Sequence, residues 1–336
     1  MIVHRVLIVL LLAVSAAAPV FSQHRIELKT FSRHQDSLKI YADSMINAEN
    51  AGTRFRADSQ FVKTFVRTLK LKNSFYYPFD SLLTVSKLYP ADSSFRIITW
   101  QLKKDDYMYF QDGAIQMNTP DGSLKLYHLF DASMFTGRPL DSVRTPHNWI
   151  GAIYYRLIEK SYEGKKYYTL LGFDDYTVSS NRKWMEVLTF NQQTGQPEFG
   201  GPVISFRDDT AKVKPVLNRF DIEYKKEART VFNYNPEMDM IIYDHLISET
   251  EEPNKRETFI PDGDFEGFKW ENGQWVHVDK VFNFKLQNGE FPQEATIKDA
   301  NGNIDENKLM EQSEKNIENA KKREAEKKPV KKKIGN

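Results

Sequence analysis

"GAIYYRLIEKSYEGKKYYTLLGFD", residues 151–174, decides the fold class. Two runs rich in aromatic and β-branched residues flank the short polar break "EGK" (163–165), as the arms of a hairpin flank its turn. Within each run, side chains suited to burial alternate with side chains that tolerate water, which is the period of a strand. The pattern continues outward. "FRIITWQL" (95–102), "KLYHLF" (125–130) and "MDMIIYDHL" (238–246) alternate in the same way. Short polar breaks separate such runs: "KKDD" (103–106), "TPDG" (119–122), "QTGQ" (193–196), "NPE" (235–237) and "ENGQ" (271–274). The reading is a mainly β domain over residues 93–292, an antiparallel meander of about ten to twelve strands. Turn spacing leaves sandwich, barrel and propeller-like closure open. The lack of a clean internal repeat argues against a regular many-bladed propeller.

Upstream, residues 23–92 carry a helical period. In "SLKIYADSMINAEN" (37–50), Leu38, Tyr41, Met45 and Ala48 recur at three- and four-residue steps. "NAGT" (50–53) breaks the pattern. "DSQFVKTFVRTLKLK" (58–72) then opens with a capping Asp58 or Ser59 and sets Phe61, Phe65, Val66 and Leu69 on one side. A shorter helix is predicted over "DSLLTVSKL" (80–88). These amphipathic faces are expected to pack on their own domain.

The two ends of the chain differ from its body. "MIVHRVLIVLLLAVSAAAPVFSQ" has one Arg (Arg5), an apolar run from Val6 to Val14, then small residues, with Val20 and Ser22 placed for cleavage before Gln23. That is the pattern of a secretory signal peptide over residues 1–22, and the run is too short for a bilayer span. Residues 293–336 form a flexible, Lys-rich tail with a marginal helix from about Glu306 to the region of Pro329. Residues 311–336 hold nine Lys or Arg against five Glu, while the whole chain carries only +1. With no cysteine, disulfides, thiolate catalysis and cysteine-based zinc sites are excluded.

The middle region resembles an uncharacterised secreted protein family of Bacteroidota. The motifs "NWIGAIYY" (148–155), "YYTLLGFD" (167–174), "RKWMEVLTF" (182–190), "PEFGGPVISF" (197–206), "YDHL" (243–246), "PDGDFEGF" (261–268) and "GQWVHVD" (273–279) carry that resemblance, in this order. It implies an envelope location and carries over no catalytic residue.

Enzymatic signatures are sparse. The chain has no G-x-S-x-G, no H-E-x-x-H and no phosphate-binding glycine loop. Asp244-His245 in "IIYDHL" is the best catalytic candidate. Neighbours on a strand point to opposite faces, so His245 would need an acid from elsewhere, such as Asp174 or Asp175. Trp149, Trp184, Trp270 and Trp275 could stack on sugar rings, but core or rim packing is the default, and Trp270 and Trp275 flank a turn as a cross-strand pair would. In "PDGDFEGFKWENGQW" (261–275), Asp262, Asp264 and Glu266 fall at calcium-loop positions 1, 3 and 5, with Gly267 at 6. Position 12 is Gly273 where a Glu is needed. The favoured reading is a hairpin turning at Asn272-Gly273, with Pro261 and Gly263 shaping a loop before it.

The expectation is therefore a non-catalytic, periplasmic or secreted envelope protein, an interaction or assembly factor. Its basic tail would meet an envelope protein or an anionic envelope surface rather than nucleic acid. The alternative is a carbohydrate-active protein, a sugar binder or glycoside hydrolase, and an aromatic-floored cleft with paired carboxylates would favour it. No cofactor beyond calcium is suggested.

Overall fold

The computed structural model describes residues 28–137, 139–206 and 216–282. The segments read from sequence as a signal peptide (1–22) and a tail (293–336), and residue Gln23, lie outside these residues. The described chain up to Asp279 belongs to one compact unit; of the next, which starts at Lys280, only residues 280–282 are described. No described helix is long and apolar enough to cross a membrane.

The body is mainly β. Helix α1 covers residues 28–47 and helix α2 covers Ala51–Leu69. Fourteen strands follow: β1 Ser86–Leu88, β2 Phe95–Lys103, β3 Tyr109–Met117, β4 Lys125–Phe130, β5 Ile153–Tyr162, β6 Lys165–Asp174, β7 Ser180–Phe190, β8 Pro197–Phe199, β9 Ile204–Ser205, β10 Arg219–Lys225, β11 Phe232–Asn235, β12 Met240–Ser248, β13 Phe259–Glu271 and β14 Gln274–Val278. The count exceeds the expected ten to twelve because β1, β8 and β9 have only two or three residues each, too few to show alternation.

The strands form three open sheets, and none closes into a barrel among the described residues. The first runs β1-β2-β3-β4. The second runs β10-β7-β6-β5, with β8 also on β7. The third runs β11-β12-β13-β14-β9, where the β14–β9 pair is parallel and the rest antiparallel.

Three apolar layers bind these elements. Leu38, Ala42 and Met45 of α1 and Phe61, Phe65 and Leu69 of α2 pack on Ile98, Trp100 and Leu102 of β2. The opposite face of β2, with Phe95 and Ile97, packs on Tyr154, Tyr168, Leu170, Trp184 and Leu188 of the second sheet. Leu171, Met185, Val187 and Ile222, on the far face of that sheet, meet Ile241, Tyr243, Phe268 and Trp275 of the third. The middle sheet is thus apolar on both sides, which is why "YYTLLGF" reads as nearly continuous hydrophobicity. Burying each such Phe or Leu contributes roughly 1.5–3 kcal/mol.

Some helical expectations need correction. The segment 80–88 is not helical: Leu82 and Val85 enter the helix-facing core from turns, and Ser86–Leu88 is strand β1 against β2. The second helix starts at Ala51, not at Asp58 or Ser59. Asn50 caps it by accepting from the Thr53 amide at 2.7 Å. The polar "NAGT" is therefore a cap rather than a long break. The two helices share this core with β2.

Two fully buried arginines, Arg219 and Arg96, organise the polar interior. Arg219 Nε donates to Glu186 Oε2 at 2.6 Å, Nη1 to the Pro139 and Ser142 carbonyls, and Nη2 to the Phe199 carbonyl. Glu186 also accepts from the Tyr154 hydroxyl, which in turn accepts from Trp149 Nε1. Arg96 has no carboxylate partner among the described residues. Its guanidinium donates to Gln116 Oε1, to the Tyr77 and Ser74 carbonyls and to the Tyr89 hydroxyl, at 2.8–3.0 Å.

Candidate functional site

Register builds the site on the middle sheet. Across β6, β7 and β10 the residues fall into rows: Leu170–Glu186–Arg219, then Gly172–Trp184–Asp221, then Asp174–Arg182–Glu223. Side chains two apart on a strand share a face. One face thus passes from apolar core, through the buried Glu186–Arg219 pair, to a polar end. There the described chain forms a cleft of about 580 Å³, within the size range of ligand pockets. Asp174, Arg182, Trp184 and Asp221 line it together with Gln111 of β3 and Asp131 just beyond β4.

Asp131 is held by its local sequence. In "DAS", its Oδ1 accepts from the Ser133 amide and hydroxyl, an Asx-type turn, and from the Gly151 amide at 2.9 Å. Gly151 is needed for this approach. A Cβ there would stand 2.4 Å from Asp131 Oδ2 and 2.6 Å from Gln111 Cβ. Gln111 Nε2 donates to Asp174 Oδ1 at 3.1 Å, so Asp131, Gly151, Gln111 and Asp174 are contiguous.

At the other end, Arg182 Nη2 donates to Glu223 at 2.9 Å. Its Nε lies 3.3 Å from Asp221 Oδ2, close enough for charge attraction but off hydrogen-bond geometry. Its guanidinium carbon stands 3.6 Å from the Tyr176 ring centre. Arg256 adds a second contact to Asp221 at 3.1 Å. Three polar atoms of cleft residues are buried with no hydrogen-bond partner: Gln111 Oε1, Trp184 Nε1 and Arg182 Nε. Gln111 is 6% exposed and Trp184 2%, so each unmet group costs about 1–3 kcal/mol.

Burial, with the Asp131 charge adding and the Gln111 bond opposing, pushes the Asp174 carboxyl from 3.8 up to about 6. The folded protein therefore holds a proton that the unfolded chain has released between these values, and stability falls as pH rises from 3.8 to about 6. Asp174→Asn is expected to raise unfolding stability near neutral pH by about 1–2 kcal/mol, after allowance for solvent screening. The gain should vanish near pH 4. Urea denaturation at the two pH values checks this, and an equal effect at both would remove the proton from the account.

The residues singled out in sequence lie elsewhere, with two exceptions, Asp174 and Trp184. Asp244 accepts from the Val231 amide at 2.5 Å, while His245 Nδ1 pairs with Asp262 at 2.8 Å. The two neighbours take different partners at a β-bulge between Asp244 and Leu246, and neither Asp174 nor Asp175 is the acid beside His245. Asp175 pairs with Lys226. Asp262, Asp264 and Glu266 sit within strand β13, so the loop that a calcium site needs, and the loop that Pro261 and Gly263 were to shape, is strand. Glu266 accepts from His277 Nε2 at 2.7 Å and from the Tyr243 hydroxyl at 2.6 Å. No three metal-binding side chains cluster among the described residues.

The hairpin reading of this stretch does hold. Asn272 and Gly273 both have positive φ, 49° and 79°, and Trp270 pairs with Trp275 across the strands with ring centres 5.3 Å apart. Trp149 and Trp275 are core, donating to Tyr154 and Thr169.

No family model matches the chain, and neither a curated protein nor a solved structure does.

Proposed function

We propose that the chain is an exported carbohydrate-binding protein of a bacterial envelope. The observation that carries this reading is the set of buried, unpartnered atoms at the cleft, two donors (Trp184 Nε1 and Arg182 Nε) and one acceptor (Gln111 Oε1). A sugar hydroxyl both donates and accepts, so a polyhydroxylated guest answers both kinds. Tyr109 and Phe110 line the same cleft and supply apolar surface for a pyranose face. Aromatic lining beside Asp131 and Asp174 is the combination that favours the carbohydrate alternative over a purely structural role.

Calorimetric titration with cello-, malto-, manno- and chito-oligosaccharides tests the reading. One of these series is expected to bind, and Trp184→Phe, which removes the N–H and keeps the ring, should weaken it by about tenfold. Silence from every series at millimolar concentration would overturn it.

An interaction role draws on a separate feature. Met134 and Phe135, 67% and 88% exposed, stand side by side near the cleft, with half-exposed Phe130 close by. In this second reading the protein is a non-catalytic assembly factor that meets an envelope partner at this rim.

A further inference from the structure

We propose that the Asp131–Gln111–Asp174 end of the cleft is a seat for a primary ammonium group, so that the ligand is an amine-bearing saccharide. The inference rests on the carbohydrate reading for the sugar and on its own geometry for the amine.

Every hydrogen bond that Asp131 accepts from the described residues falls on Oδ1, and the one that Asp174 accepts also falls on Oδ1. Oδ2 of each carboxylate accepts nothing from the described residues, and Gln111 Oε1 is buried without a donor. Three acceptor oxygens thus share one end of the cleft, joined through the Gln111–Asp174 bond and the common contact at Gly151. An ammonium group has three donors and no acceptor. A neutral hydroxyl would leave two of the three oxygens unanswered.

Charge points the same way. Among the described residues, Asp131, Asp174 and Asp221 line the cleft beside Arg182 and Arg256. Both guanidiniums are already engaged by Asp221 and Glu223, and the Tyr176 face is covered by Arg182. The described lining therefore offers no unneutralised cation to a uronate or phosphate, and its carboxylates repel them. Neither Asp131 nor Asp174 has a cation within ion-pair distance among the described residues. The charged groups facing Asp174 are Asp131, Arg182 and Lys226.

The test is calorimetric titration of the full chain with four tetrasaccharides, built of glucosamine, N-acetylglucosamine, glucose and galacturonic acid, and with spermidine as an amine that is not a sugar. At about pH 6.5, where sugar amine and carboxylate both carry charge, the glucosamine tetramer should bind at least about tenfold tighter than the glucose tetramer. Added salt should erode that advantage, and the galacturonate should not bind. Asp131→Asn and Asp174→Asn should each remove the preference, bringing the glucosamine tetramer's affinity to that of the glucose tetramer measured on the same variant. Spermidine affinity should rise with pH through the ionisation of Asp174.

Equal affinity for glucosamine and glucose tetramers would overturn the ammonium seat and leave the carbohydrate reading standing. Spermidine binding that both Asn variants abolish, without binding of any tetramer, would uphold the seat and overturn the carbohydrate reading. Preference for the galacturonate, or silence from all five, would overturn the seat.

Discussion

Arg219→Leu is expected to lower unfolding stability by about 3–5 kcal/mol, a large share of the roughly 5–15 kcal/mol that typically holds a protein folded. The side chain is fully buried, and its loss strands the Glu186 carboxylate in an apolar layer together with the carbonyls of Pro139, Ser142 and Phe199. Tyr154 cannot relieve that carboxylate by giving up its proton, because burial and the Glu186 charge hold its hydroxyl protonated well above the usual range. The diagnostic comparison is the double variant Glu186→Leu/Arg219→Leu. Removing both charges should recover a substantial part of the loss, since an apolar replacement of a whole buried pair is often tolerated where half of it is not. Urea denaturation of the two singles and the double measures the coupling. Additive losses would mean that the two side chains do not act as a pair.

Arg96→Lys is expected to cost about 2–4 kcal/mol, nearly as much as Arg96→Leu, despite conserving the charge. Here no carboxylate is involved. The planar fork reaches a side-chain amide, two carbonyls and a phenol at once, and lies 5.2 Å from the Phe79 ring centre. A lysine ammonium is a single point on a flexible stem and cannot meet all four oxygens. The position ties the 74–77 segment, and with it the turn beneath the helices, to β2. Thermal unfolding with matched denaturant titrations gives the measurement. A lysine variant close to wild type would show that charge, rather than fork geometry, is what the site requires.

Local chemistry made the hairpins legible. "EGK" and "ENGQ" turn where their residues allow positive φ, and the Trp270–Trp275 pairing follows from a two-residue turn alone. The helical faces were legible too, because Leu38, Met45, Phe61, Phe65 and Leu69 repeat at the helical period and are all buried. "DSLLTVSKL" misled because Leu82 and Val85 have helical spacing, yet their burial comes from successive turns over the helix-facing core. Asp58 carried the chemistry of a cap and lies in mid-helix instead, where burial and the nearby Asp112 push its carboxyl up to about 6.

The cleft was hidden for a different reason. Gln111, Asp131, Arg182 and Asp221 come from separate strands and connections, and only the stacking of one sheet on another brings them together. Of these, only Asp131 left a local trace, as the first residue of an Asx turn, and such turns are common. Asp174 and Trp184 were noticed for other roles. Their shared row position depends on the β6–β7 register, which no short motif encodes.

The sheet order carries a consequence for how the chain assembles. The first sheet is drawn from residues 86–130, the second from 153–225 and the third from 232–278, with one exception, β9. A chain emerging N-terminus first can therefore lay down one slab upon the last, each from a contiguous segment with little loop-closure entropy. β9 at Ile204–Ser205 must wait until β14 at Trp275–Val276 has been made before it finds its parallel partner. That short clasp reaches back across the whole third slab, and it is the event that marks the stack as complete.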